Sequence, residues 1–441
     1  FLAYTAGLAS PLTIIAAGVA VLFLGNTLSE FTKVLPSTGG FISFIGKTFG
    51  GRTAVTTAIL TGTGYIAAMA SVIAIVGGFF QIILQHYNVS GLESVPWGVW
   101  TLIFLAFAAF MMYRGIAIST KLAGAFFAFE ITIMIIVSII SLVKFHSHIN
   151  FQPFEWHNVK NGFSGLAAGF PLAIYLFIGW ENSAALAEET NNPRKNVPKA
   201  VFFSICVMLV TYTFFAFSTV VGFKGSEANL TSAAIPFLSV AKEGFAVILF
   251  FAFLAGMTST LGALIAGTNS QARLVFNAGR EGLLPTFIGH VHSVRRTPIF
   301  ALATFLGLSV GIIGIWGLGH IIGGSSSGAM SPLTMFDESS TFGTILILLV
   351  YGLSNVALPL YYKRNVPDRF SAVRHGVLPI IGALWILVPL YYLAKPGQPT
   401  PYNWYPYMAL AAIALAIVYA TYVVARDPAV GERVGSIVAD E

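Results

Sequence analysis

An all-α integral membrane bundle is the fold class the sequence predicts, and three observations predict it. The 441 residues are 56% hydrophobic and only 9% charged, where a soluble domain carries about 25% charged residues. Apolar runs long enough to cross a bilayer, which takes roughly 20 residues, recur along the whole chain. The remaining charge is one-sided. With loops assigned alternately to two faces, all but five of the 23 lysines and arginines fall on one face. The five are Lys144, Lys160, Lys224, Lys242 and Lys395. This is the positive-inside pattern of a correctly counted bundle. It excludes a soluble enzyme and makes the formal charge of +6 a matter of topology, not of a nucleic-acid partner. It also puts the loop after the first full span, and the C-terminus, in the cytoplasm of a multi-pass protein of the plasma membrane (a cell inner membrane in a bacterium).

The elements follow in order. Spans are expected at 11–31, 53–84, 97–113, 121–143, 163–187, 198–222, 244–276, 298–317, 341–362, 375–394 and 405–425. Phe1 to Ser10 is too short to span and reads as the tail of a helix entering from upstream. With neither an initiator Met nor a signal peptide, the chain is expected to begin mid-protein, and that helix makes about twelve spans. The first run carries Glu30 near its cytoplasmic end, where snorkelling or a loop salt bridge competes with transport chemistry. In the 53–84 run, Gly62, Gly64, Ala67 and Ala68 allow close approach of another helix. Tyr65 is its polar candidate to face a pocket, and Ala68, one turn on, leaves room for a ligand. The longest polar interruptions are 144–162, 223–242 and 318–340, the last a Gly/Ser-rich segment that reads as a plain outside loop.

Cys206, the one cysteine, falls in a span and reads as a small apolar filler. The sequons at Asn88 and Asn229 read as chance. The eight histidines fall mostly in loops and form no metal set. No Walker A, Ser-His-Asp or H-E-x-x-H pattern appears, so neither an ATP-driven pump nor an enzyme is indicated, and no cofactor or metal is expected.

The stretch from Gly162 to Ala200 carries the most chemistry. It starts as an apolar helix, breaks at Ile178-Gly179-Trp180, and at once places Glu181 at membrane depth. It leaves through Glu188 and Glu189 into Asn191-Asn192-Pro193. Backbone freed from helical bonding is tolerated at that depth only against protein or a polar cavity, and such breaks bind substrates in transporters. A helix C-terminus carries roughly half a negative charge. Carbonyls of Tyr175, Leu176, Phe177 and Ile178 would suit an ammonium group, with Gly179 as the break; a ligand-free kink is the alternative. Trp180 is either a gate over the pocket or packing against the eighth helix.

Intramembrane carboxylates are functional candidates. Glu181 could pair with substrate or relay a proton. Glu130 stands alone in AGAFFAFEITIMIIVSII. An isolated carboxylate is strongly disfavoured in an apolar medium, so such a group could load and release protons. The alternatives are a neutral acid bonded to a neighbouring helix, or one ligand of a sodium site with Thr258 and Ser259.

Several segments together resemble one family, the amino acid–polyamine–organocation transporters. Glu30 through Gly40 followed by Phe49-Gly50 is similar to that family's acid-then-P-x-x-G-G stretch after its second helix. Phe177-Ile178-Gly179-Trp180-Glu181 and the Ala187 to Ala200 loop resemble its sixth helix and following loop. Asn269 to Pro285, then Arg296-Thr297-Pro298, resemble the end of its eighth helix. The resemblance implies a leucine-transporter-type fold with a 5+5 inverted repeat and about 12 helices, the first mostly missing. Residues 1–143 would be the rest of the first repeat, 144–362 the second, and 363–441 two extra helices and a tail. It also implies alternating access, with substrate held between the unwound centres of the first and sixth helices. Glu130 falls near where some proton-coupled relatives place a lysine and sodium-coupled ones bind sodium. The implied function is secondary active transport of amino acids or related amines, coupled to protons rather than sodium. The alternatives are a polyamine carrier or an exchanger and, in a different class, a membrane-embedded sensor or enzyme.

Overall fold

The computed structural model describes residues 2–244, 246–292, 297–322 and 330–433. Its elements are helices. In chain order they are α1 (Leu2–Ala6), α2 (Ser10–Val34), α3 (Phe41–Phe49), α4 (Gly51–His86), α5 (Trp97–Tyr113), α6 (Ile116–Lys144), α7 (Gly162–Tyr175), α8 (Pro193–Gly222), α9 (Glu227–Ser232), α10 (Pro236–Lys242), α11 (Ala246–Arg280), α12 (Ile299–Ile322), α13 (Pro332–Asn365), α14 (Leu378–Ala394), α15 (Tyr405–Arg426) and α16 (Pro428–Arg433). A 3-10 stretch, Trp180–Glu189, follows α7, and a π-helical turn, Ala372–Val377, leads into α14. Among the described residues ten segments are long and apolar enough to cross a membrane, and α5 is a shorter eleventh. Each expected apolar run is thus helical, the 163–187 run with an interruption after Tyr175, and the chain is a multi-pass membrane bundle. Arg295 and Arg296 of the basic set, and residues 323–329 of the Gly/Ser-rich segment, lie outside the described residues.

The centre of the bundle is α4 and α13, each 67% buried over its apolar window, against 17% for α8 and α15. Side-chain size explains how these two meet. A Cβ placed on Gly343 of α13 would lie 2.6 Å from the Gly64 carbonyl oxygen of α4, so the backbones touch there. Ser339 adds a hydrogen bond from its hydroxyl to the Ala67 carbonyl, 2.6 Å. The small residues expected to permit close approach do so at Gly64, Ala67 and Ala68, whereas Gly62 has nothing within 4 Å of a would-be Cβ. Around this pair, α2 packs on α8, α11 on α6, α5 on α4 and α12 on α11. The short α3 lies against α4 and α13, and the short α10 against α11 and α6.

Two expectations fail. The interruption at 318–340 is not a plain loop, since α12 runs to Ile322 and α13 starts at Pro332. Ser331 caps α13 by accepting the Thr334 N–H at 3.0 Å, and Pro332 sits in the first turn, where its missing N–H costs nothing. The polar residues there face protein: Glu338 accepts from Trp316 Nε1 at 3.0 Å and meets His320 Nε2 at 2.9 Å. Cys206 is not a packed filler either. It is exposed on α8, while its neighbour Ile205 is fully buried.

Candidate functional site

The site grows from the end of α7. The helix stops at Tyr175, and the chain turns through Leu176 to Gly179 before resuming as the 3-10 stretch. Gly179 has φ +111°, a conformation that L side chains rarely adopt, so glycine is what lets the chain turn here. The break expected at Ile178-Gly179-Trp180 is therefore present. Its carbonyls are less open than expected. Tyr175 O accepts the Ile178 N–H (3.1 Å) and Phe177 O accepts the Trp180 N–H (3.1 Å), because the turn closes on itself by i→i+3 bonds. Each retains only its second lone pair for a ligand.

Glu181 sits directly below this turn and is 7% exposed. One carboxylate oxygen accepts the Gly179 N–H at 3.0 Å. The other accepts the Tyr65 hydroxyl of α4. The Tyr351 hydroxyl of α13 lies beside the same pair. The kink thus uses the carboxylate itself, as a cap on a backbone donor and as a tie to α4.

The other side chains of the break pack outward from this tie. The Tyr175 hydroxyl reaches α4, where it donates to Ala68 O (3.2 Å) and lies 2.9 Å from Ser71 Oγ. Tyr175 and Ala68, singled out separately in the sequence, are thus partners. Phe177 is fully buried against the Tyr212 ring of α8, 5.7 Å between centroids, and Ile178 is half-buried. Trp180 is 2% exposed and lies between Phe41 of α3 (6.0 Å) and Tyr351 of α13 (5.8 Å). Its aromatic neighbours thus belong to α3 and α13.

A cavity of about 50 Å3 opens on the far side of Glu181. Tyr65, Glu181, Asn182, Gln271 and residues of α3 and the turn before it line it. That volume holds a few waters and no amino acid. The expected cavity against the Tyr175 to Ile178 carbonyls is not this one: of the expected substrate residues, only Tyr65 lines it. The reason is the packing just described, with Phe177 and Trp180 filling the space around the turn. Across this cavity, Gln271 of α11 donates to Asn182 Oδ1 at 3.0 Å, so α11 too is bonded to the 3-10 stretch.

The second carboxylate, Glu130, is arranged differently. It is half-buried between α6 and α11. Ser259 Oγ donates to its Oε1 at 2.8 Å. Thr258, the other candidate ion ligand, turns its hydroxyl back onto Leu254 O (3.1 Å) and Ala255 O (3.0 Å) of its own helix. Glu130 and Ser259 are brought together, and Thr258 is not. Tyr212 stands between Glu130 and the break: its ring meets Phe177, and its hydroxyl lies within electrostatic reach of Glu130.

Glu30 turns out to be a structural joint. It is 6% exposed and pairs with Lys33 Nζ (2.6 Å) and His375 Nε2 (3.1 Å). The Ser371 N–H donates to His375 Nδ1 at 2.8 Å, which leaves the proton on Nε2 for Glu30. The imidazole also stacks on Tyr362, 3.6 Å between centroids, and Asn26 Nδ2 donates to Arg374 O at 2.8 Å. This cluster joins α2, α13 and the π turn. Sequence reasoning did not single out His375, which stands at the first position of the expected 375–394 span, and missed Glu338 because its surroundings were polar enough to pass for a loop. Tyr351 carried no sequence signal, and Gln271 stood inside the Asn269 to Pro285 motif without being singled out.

Comparison with known proteins agrees with this architecture. The amino acid permease family profile matches residues 2–423. A branched-chain amino acid permease of Bacillus subtilis (strain 168) is 26% identical over 412 residues, covering 90% of this chain and 83% of that relative. A branched-chain amino acid permease of Lactococcus lactis subsp. cremoris is 23% identical, over 82% of this chain and 77% of the relative. A methylthioribose transporter of Bacillus subtilis is 26% identical, over 75% and 72%.

Proposed function

The chain belongs to the amino acid permease family of the amino acid–polyamine–organocation superfamily, and on that premise we propose that it carries neutral amino acids across the plasma membrane by alternating access, driven by protons. It is a permease and not an enzyme. The observation that carries the mechanism is the break in α7 held inside the bundle by Glu181. A discontinuous helix leaves a free backbone dipole at membrane depth, which suits the charged ends of an amino acid. The ammonium group would sit against the carbonyls left by α7, and Tyr175, Ile178 and Ala68 would flank it. Trp180 and the Tyr65–Glu181 tie would close the path on the basic side.

The repeat reading has support in the packing pairs. The contact of α4 with α13 has its counterpart in α11 with α6. The contact of α4 with α5 matches that of α11 with α12, and α3 on α13 matches α10 on α6. Such pairing is what a 5+5 inverted repeat would give, with α2 and α8 as equivalents. The charge asymmetry supports a cytoplasmic C-terminus. Single cysteines at Asn192 and Val366 should then react only from inside sealed cells; labelling of Asn192 from outside would overturn the orientation.

Neutral side chains are favoured because the break offers one ionisable group already engaged in hydrogen bonds. Two relatives with high coverage are named as carriers of branched-chain amino acids. A second reading, an organic solute other than an amino acid, is kept open by the relative named as a methylthioribose transporter. Uptake of labelled leucine, isoleucine and valine into proteoliposomes, with and without an inward proton gradient, tests the proposal. Uptake that rises with the gradient supports it. Uptake of methylthioribose alone would overturn the substrate class, and gradient-independent uptake would overturn the coupling.

A further inference from the structure

We propose that the groove between the end of α5 and the start of α12 is a binding site for an anionic phospholipid. The groove has a volume of about 360 Å3. Its walls are apolar: Phe110, Met112 and Tyr113 on one side, Ile299, Leu302 and Leu306 on the other. Phe110 is 53% exposed, so the groove lies on the face turned to the membrane. An acyl chain is the chemistry that fits such walls.

What lies at the end of the groove specifies the headgroup. Arg114 follows Tyr113 directly, with its guanidinium 5.8 Å from the Phe110 ring centroid. The His292 ring meets Tyr113 at 6.3 Å. Arg114 is exposed and forms no ion pair among the described residues, and the same holds for Lys121, early in α6. No Asp or Glu occurs between Trp97 and Phe129, or from Gly282 to Ile322. Neither wall therefore supplies a counter-charge. A lipid phosphate fits, because a guanidinium holds phosphate through two parallel hydrogen bonds.

Helix length makes the same demand. The 17 residues of α5 rise about 26 Å, less than the roughly 30 Å hydrocarbon core of a bilayer. The chain reverses at once through Arg114 and Gly115 into α6, so no loop carries the cation out to water. A short span of this kind is accommodated by local thinning, and a phosphate drawn down to Arg114 would supply it. Topological bias alone would explain a cation here, but not an apolar groove that ends on it. The inference needs only that the chain spans a membrane, and it stands apart from the transport reading.

The test uses the purified full chain in mixed micelles with phosphatidylglycerol or phosphatidylcholine, read by native mass spectrometry. In parallel, phosphatidylglycerol with a diazirine in its acyl chain is photo-crosslinked and the products are mapped. Phosphatidylglycerol should be retained over phosphatidylcholine, with crosslinks on α5 and α12. Arg114→Gln should lower its retention about tenfold, the scale of one charge-assisted pair. Ala303→Trp, at an exposed position in the groove, should remove the crosslinks with an unchanged melting temperature. Equal retention of the two lipids, crosslinks mapping elsewhere, or wild-type retention by Arg114→Gln would overturn the proposal. Disulfide-linked dimers from a cysteine at Leu306 in native membranes would overturn it as well, since a second copy would then cover the groove.

Discussion

Glu181 and Glu130 are both carboxylates inside the bundle, yet their surroundings give them opposite freedoms. Glu181 is almost fully buried and both its oxygens are engaged, one by the Gly179 N–H and one by the Tyr65 hydroxyl. Glu130 is half-buried, and Ser259 is its hydrogen-bond partner, on one oxygen. A proton arriving at Glu181 must share an oxygen that already serves the break or the tie to α4, each of which keeps one further lone pair. Glu130 has an oxygen with no hydrogen-bond partner among the described residues. The difference teaches that intramembrane acids are told apart by how many of their oxygens are already engaged. We therefore propose Glu181 as the fixed part of the machine and Glu130 as the part that cycles.

The sharpest way to break this contrast is at the turn that Glu181 caps. Gly179→Leu forces a side chain into a conformation that costs about 1–2 kcal/mol and pushes a Cβ to 3.3 Å from Asn182 Nδ2. It should abolish uptake while membrane insertion, read by surface labelling, stays intact. Retained uptake would remove the break from the mechanism.

The next largest effect is expected at Glu130. Glu130→Gln keeps the shape and the hydrogen bond from Ser259 but cannot release a proton. It should still exchange labelled substrate for unlabelled substrate across the membrane, yet fail to accumulate it under a pH gradient. Wild-type accumulation would make Glu130 structural and turn the comparison around, with Glu181 as the next candidate.

Tyr65→Phe removes one hydrogen bond to a charged group, worth about 1.5–3 kcal/mol. If the Tyr65–Glu181 tie is a closure that must re-form in each cycle, the turnover rate should fall about ten- to a hundredfold with little change in apparent affinity. An affinity loss without a rate loss would place Tyr65 on the substrate instead.

The smallest effect belongs to Ser259→Ala. Glu130 then loses its donor from α11, and the pH dependence of uptake should shift while maximal rate changes less than about threefold, the scale of an ordinary hydrogen bond. An unchanged pH profile would separate Ser259 from coupling.

Much of the architecture was legible because membrane helices are written in composition. A run such as 97–113 is apolar throughout, and the helix found there has the same bounds. The break was legible for a related reason, since glycine followed by tryptophan and glutamate cannot continue a lipid-facing helix. Pairings were not legible. Tyr65 and Glu181 are 116 residues apart, and nothing local marks either as the other's partner. Polarity also misled where it faced protein. Glu338 and Ser339 read as an outside loop, yet one is bonded to Trp316 and His320 and the other to the backbone of α4. A polar side chain turned inward looks, in one dimension, like one turned to water.

The contact between Gly64 and Gly343 has a consequence for how this chain can change over generations. The two backbones approach there to within reach of a single Cβ: one on Gly343 would lie 2.6 Å from Gly64 O, and one on Gly64 would lie 3.0 Å from Gly343 O and 2.9 Å from the Ile347 side chain. Even a methyl group at either position meets atoms at 3.0 Å or less. A saturation library selected for uptake should therefore find positions 64 and 343 nearly intolerant of replacement, while the lipid-facing positions of α8 and α15 accept most apolar residues. Adaptation to a new solute would have to proceed around that crossing and leave it untouched.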